Sequence, residues 1–325
     1  MKNQIKRSFL ALIALLAVMP ACSHAETKTY AERLGYPKGA RVVMFHSDDL
    51  GMCLEGNLGT AKAIEAGLVT TVSTMMPCPW VPGWLAYLKK NPKVDNGLHL
   101  TLTSEWDHYR WGPVAGKPAV PSLVDEQGCL WDSVGMVVEN GTADDVEREI
   151  RAQIDKALEM GMPVTHIDSH MGTLFSNAAF FERYVKVGIE YQIPVLIIGP
   201  NGYLSNKFEP GAAKTLTASG LHEKVWKAGL PVLDDATGVS YDWKTTAEKK
   251  KMFKQMIRDL RPGVTEIIVH CTLRDAHFDA ISSSGNTRQA DYDVMTDPEI
   301  IQLVKDEKLI LTTWRELKER RDSVK

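Results

Sequence analysis

Apolar runs of strand length alternate along the chain with stretches whose apolar residues recur at helical spacing. The first run, 41–46 (RVVMFH), follows Gly39 and gives way to the polar Ser47-Asp48-Asp49, and it reads as a buried strand. Over 58–67, Leu58, Ala61 and Ile64 share one helical face, and Gly67 is a C-terminal stop. The β-branched stretch 69–76 predicts the next strand. A helix over 84–91 ends before Pro92, and 96–102 carries a short strand. Further on, the pattern predicts helices over 146–160, 180–191, 246–259, 298–306 and 314–321. Strands are predicted between them at 163–167, 194–198, 265–270 and 309–312.

This β-α-β-α order predicts an α/β fold with a parallel sheet and crossover helices. The alternation runs to the C-terminus without a Pro/Ser-rich linker, so residues 26–325 read as a single distorted (β/α) barrel. The stretch 104–132 is too long and irregular for a simple connection and reads as a loop inserted over one barrel end. Its aromatic residues Trp106, Tyr109, Trp111 and Trp131 argue against disorder. There is no G-x-G-x-x-G and no Walker A motif, so the usual nucleotide sites are unsupported.

Composition fits a globular chain, with 44% hydrophobic and 24% charged residues. A net charge of -3 leaves no basic footprint, which excludes nucleic acid as the expected partner. Residues 1–25 stand apart. Lys2, Lys6 and Arg7 precede an apolar run over 9–19, and Ser23-His24-Ala25 offers a cleavage site. This predicts a signal peptide and a periplasmic or secreted protein. A lipoprotein anchored at Cys22 is the alternative, although Met19-Pro20-Ala21 fits a lipobox poorly. No later apolar run is long enough to span a bilayer, so no transmembrane span is expected in the mature chain. Cys53, Cys78, Cys129 and Cys271 form no C-x-x-C motif, and their pairing stays open, as does the oligomeric state.

Chemistry-bearing residues gather at the predicted strand ends, where barrel enzymes keep their catalytic groups. His46, Ser47, Asp48 and Asp49 follow the first strand. His99 lies in GLHL, His166, Asp168 and His170 in THIDSH, and His270 ends TEIIVH. Each has an ordinary alternative: an Asp-Asp pair is often a helix cap, and a single histidine is often a bonded core residue. Together, two aspartates and several imidazoles match a divalent metal site. Such a metal lowers the pKa of water to about 7 and polarises a carbonyl. A spare carboxylate beside it can take the proton.

The segments HSDDLGM, AIEAGLVTTVSTMMPCPW, GLHLTLT and PVTHIDSH, in this order, resemble the YdjC-type carbohydrate deacetylase family. The resemblance is clear from about residue 42 to 170 and thins to a match around IIVHC. It implies a barrel of the polysaccharide-deacetylase type, similar in chemistry to the NodB-homology deacetylases. It also implies removal of acetyl groups from N-acetylated amino sugars with one divalent metal ion, zinc or magnesium foremost. By the same resemblance Asp49, His99 and His170 are the metal ligands, Asp48 is the catalytic base, and His166 and Asp168 support the site. Family members often carry more histidines after HIDSH and a His-Pro near the chain end. Here Met171-Gly172-Thr173-Leu174 follows His170, and His270 precedes Cys271, so His270 as general acid is an expectation of its own.

The expected partner is an N-acetylated carbohydrate. Trp106 and Trp111 offer apolar faces for sugar rings, Arg110 between aromatics a donor, and Glu105 a further contact. Two other readings remain: a metal-dependent esterase or phosphoesterase on the same triad, and a non-catalytic glycan-binding envelope protein.

Overall fold

A computed structural model of the chain describes residues 28–218 and 220–324. The expected signal peptide at 1–25 lies outside the described residues. Among the described residues, seven parallel strands form one curled sheet: β1 (Arg41–Leu50), β2 (Val69–Thr74), β3 (Asp95–Leu100), β4 (Ile167–Ser169), β5 (Asp235–Thr237), β6 (Gly263–Val269) and β7 (Ile310–Leu311). Their order is β4-β3-β2-β1-β6-β5, with β7 paired to the start of β1. Single bridges, Ile167 to Val195 and Ile198 to Leu233, continue the curl from β4 toward β5. The result is the expected distorted barrel, with helices covering its outside.

The central strand β1 is buried on both faces from Val42 to Leu50, as a parallel strand between helices and a filled barrel must be. The predicted strand at 194–198 survives only as those bridges. Pro194 has no N–H to donate; its carbonyl accepts from Ile167 N at 2.9 Å, and Leu196 N returns a bond to Ile167 O at 3.0 Å. The expected strand at 163–167 forms slightly later, as β4.

The N-terminal mouth of the barrel is closed by the last helix, Trp314–Ser323. Asp95, the first residue of β3, caps it, accepting from Trp314 N at 3.0 Å and Arg315 N at 3.1 Å. Trp314 is thereby driven into the barrel, where its indole stacks on His166 with ring centroids 5.2 Å apart. The C-terminal mouth stays open. The 104–132 insertion lies over it, irregular but anchored: Trp111 donates to Thr103 O and Trp131 to Ser122 O, each at 2.9 Å.

Cys53, Cys78, Cys129 and Cys271 are free thiols. Among the described residues, no helix is long and apolar enough to cross a membrane.

Candidate active site

Successive residues of a strand point to opposite faces, so Asp48 and Asp49 would normally diverge. The end of β1 breaks that rule. Pairing with β2 shifts register between Ser47 and Leu50, and Asp49 takes a left-handed backbone, φ 67°. Gly51 follows, also left-handed, and a Cβ there would meet Val81 Cγ2 at 2.6 Å. Both carboxylates therefore face one cleft of about 780 Å³ at the open mouth, shared with His99, Asp168, His170 and His270.

Asp49 Oδ1 lies 3.3 Å from His99 Nε2 and 3.2 Å from His170 Nδ1. The far nitrogen of each ring is held by a carboxylate. His99 Nδ1 bonds Asp168 Oδ1 at 2.7 Å, and His170 Nε2 bonds Glu105 Oε1 at 2.9 Å. Asp49 Oδ1 and His170 Nδ1 are buried without a hydrogen-bond partner among the described residues. A carboxylate and two imidazoles turned toward one point, with carboxylates orienting both rings, fit a divalent metal. The second oxygen of Asp49 pairs with the Arg288 guanidinium at 2.6 Å.

The electrostatics follow from burial and close pairing. Against the penalty of burial, Arg288 and the two imidazoles hold the Asp49 carboxyl well below the usual range. Against the same penalty, Asp48 and Asp168 hold His99 well above its ordinary value. Glu105 and Asp49 likewise raise His170 to about 9.

Asp48 is held differently. Its Oδ1 accepts from Ser73 Oγ at 3.1 Å and faces His46 Nε2 at 2.8 Å. Its Oδ2 faces His270 Nε2 at 3.9 Å. Burial, and then the Arg288 charge, lower His270 to about 4, which keeps its ring neutral at neutral pH. The His270 backbone N–H is fixed by Asp291 Oδ2 at 2.9 Å, and Asp291 pairs with the buried Lys249.

The structure thus brings together Asp48, Asp49, His99, Asp168, His170 and His270, with Trp106 in the cleft wall. His166 lies deeper, fully buried against Trp314. Two expectations are corrected. Trp111 is packed into the core with its N–H used by Thr103, so its face is closed to a sugar. Arg110 is spent inside the insertion, on Asp125 at 2.8 Å, Leu130 O at 2.8 Å and Ser104 Oγ at 3.2 Å. Glu105 reaches His170 before it reaches any ligand. Arg288 and Tyr241 line the cleft and carried no motif in the sequence.

A model of the YdjC-like protein family matches residues 42–306. A carbohydrate deacetylase of Thermoanaerobacter pseudethanolicus is 25% identical over 278 residues, spanning 86% of this chain and 100% of its own. A carbohydrate deacetylase of Thermus thermophilus is 28% identical over 290 residues, spanning 89% and 97%. Among solved structures, an Enterococcus faecalis protein provisionally assigned to cellobiose-phosphate cleavage superposes with a TM-score of 0.70 at 21% identity, over 86% of this chain and 99% of its own. At that identity the likeness speaks to the fold.

Proposed function

The chain belongs to the YdjC-like protein family, and from that premise we propose that it is a metal-dependent hydrolase removing acetyl groups from N-acetylated amino sugars or oligosaccharides. The observation that carries this reading is the Asp49–His99–His170 trio facing the same cleft as a separate carboxylate, Asp48. A binding module needs no such spare base.

Asp49, His99 and His170 would hold the metal, zinc or magnesium foremost. When bound, it supplies a Lewis acid for the amide carbonyl and for the attacking water. Asp48 takes the proton of that water. Its Oδ1 is tied to Ser73 and His46, so Oδ2 is the oxygen left to the cleft. His270 faces Oδ2, takes that proton from Asp48 and passes it to the departing amine. Burial and the Arg288 charge keep that ring neutral at neutral pH, so it is free to take the proton from Asp48. Trp106 and Tyr241 offer ring faces for the sugar. The charged start and apolar run of residues 1–25 support export, so the substrate would be an envelope or external glycan.

The test is acetate release from a panel of N-acetylated oligosaccharides, metal-free and with zinc, magnesium, manganese or cobalt added singly. Metal-restored release, lost in His99→Ala, supports the reading. Stoichiometric metal without acetate from any sugar would move the assignment to ester or phosphoester hydrolysis.

A further inference from the structure

Beneath the cleft the barrel interior holds a second polar cluster. His46 on β1 and Glu266 on β6 are both fully buried. Met44 pairs with Glu266 across the two strands, which sets Glu266 diagonally below His46 on the inner face. His46 Nε2 lies 2.8 Å from Asp48 Oδ1 and 3.2 Å from Asp168 Oδ2, with Ser73 Oγ at 3.0 Å. Its other nitrogen, Nδ1, faces Glu266 Oε1 at 3.6 Å. At that separation His46 Nδ1 and both Glu266 oxygens are buried without a hydrogen-bond partner among the described residues. An acid buried in that condition is costly unless it serves the donors it faces, here His46 Nδ1 and the Trp314 indole N–H.

We propose that Glu266 is a positioning residue: by accepting from Nδ1 of His46 it keeps that ring doubly protonated, so that Nε2–H and a positive charge stay on Asp48. The inference rests on the reading of Asp48 as the base. Two carboxylates, Asp48 and Asp168, converge on His46 Nε2. A neutral ring would leave their charges facing each other in a dry interior, whereas an imidazolium balances one of them. The balance also keeps Asp48 Oδ1 engaged and its Oδ2 turned to the cleft.

The surroundings agree. Burial pushes the Glu266 carboxyl up to about 8, and it accepts the second hydrogen bond as carboxylate or through its carbonyl oxygen. Against the penalty of burial, Glu266 and Asp48 hold the His46 ring well above its ordinary range. The other groups facing this interior are His166 just before β4, Asp168 on β4, Tyr184 from the helix Ala178–Tyr191, and the Trp314 indole. Burial and the charge of His46 hold His166 well below its ordinary value, so it stays neutral and does not compete.

The test is ring-nitrogen NMR of histidine-labelled protein, with His46 assigned by loss of its signals in His46→Gln. It is run beside kcat, KM and metal content for Glu266→Leu and Glu266→Gln. The wild type should show both His46 nitrogens protonated at neutral pH. Glu266→Leu should lose the Nδ1 proton and about tenfold in kcat, with KM and metal affinity unchanged, the pattern of an effect confined to the chemical step. Glu266→Gln, which keeps an acceptor oxygen, should retain most of kcat. An unprotonated Nδ1 in the wild type would overturn the proposal. So would unchanged kcat in a folded Glu266→Leu, or a second metal per chain bound through His46, His166 and Asp168. Should the leucine variant not fold, the wild-type spectrum decides alone. Failure of the deacetylase reading shows separately, as absent acetate release by the wild type.

Discussion

Asp168 Oδ1 accepts a hydrogen bond from His99 Nδ1 at 2.7 Å, turning Nε2 of that ring toward Asp49. Carboxylates behind metal-binding histidines fix the tautomer and the ring angle. Asp168→Ala should weaken metal binding by about 10- to 100-fold, the usual cost of losing such a partner. Calorimetric titration with zinc checks this. An unchanged affinity would make Asp168 a packing residue only.

Metal binding should release protons. His170 rests at about 9, held there by Glu105 and Asp49 against burial, so its ring is largely protonated at pH 7. The metal needs it neutral. His99 is held above its ordinary value too, so apparent affinity should rise by about tenfold per pH unit for each proton displaced, until both rings are neutral. Titrations in buffers of different ionisation enthalpy count those protons.

Trp106 and Trp111 should separate cleanly. Trp106 lines the cleft, and Trp106→Ala should raise KM while leaving the fold intact. Trp111 lies in the core, and Trp111→Ala should cost about 3 kcal/mol or more of stability. Thermal melting beside steady-state kinetics distinguishes the two.

The His and Asp cluster was readable in the sequence because SDD, GLHL and HIDSH each end a predicted strand, and the choice of Asp49, His99 and His170 as proposed ligands came from the family resemblance. The groups that tune it were not. Arg288 sits in the helix Gly285–Met295 among polar residues, where a cation is ordinarily solvated. Only the packing of that helix beside the cleft buries it against Asp49. The aromatic stretch around Trp111 misled for a related reason. Tryptophan in a loop looks alike whether it meets a sugar or anchors the loop, and only the partner of its N–H tells which. Glu266, an acid inside the apolar strand TEIIVH, went unread because its surroundings depend on the strand beside it.

A control of stability lies far from the cleft. Glu147 joins two outer helices, pairing with Arg151 at 2.7 Å, Arg183 at 2.6 Å and Lys186 at 2.8 Å. Against burial, Lys186 and the two arginines push its carboxyl down to about 2. A carboxyl lowered in the folded state stabilises above its ordinary pKa and loses that contribution as pH falls toward 2. Glu147→Gln should lower Tm by about 2 °C at pH 7, given solvent screening of the pairs. The difference from the wild type should fade between pH 4.5 and 2. A difference independent of pH would remove the ion pairs from the explanation.

The central claim divides labour between two adjacent aspartates, Asp49 for the metal and Asp48 for the proton. The most direct measurement is metal content and acetate release in one preparation of Asp48→Asn. The account predicts one equivalent of metal, bound as in the wild type, with turnover reduced by about 100-fold or more, the contribution of a general base. Wild-type turnover in that variant, or loss of the metal along with the activity, would contradict it.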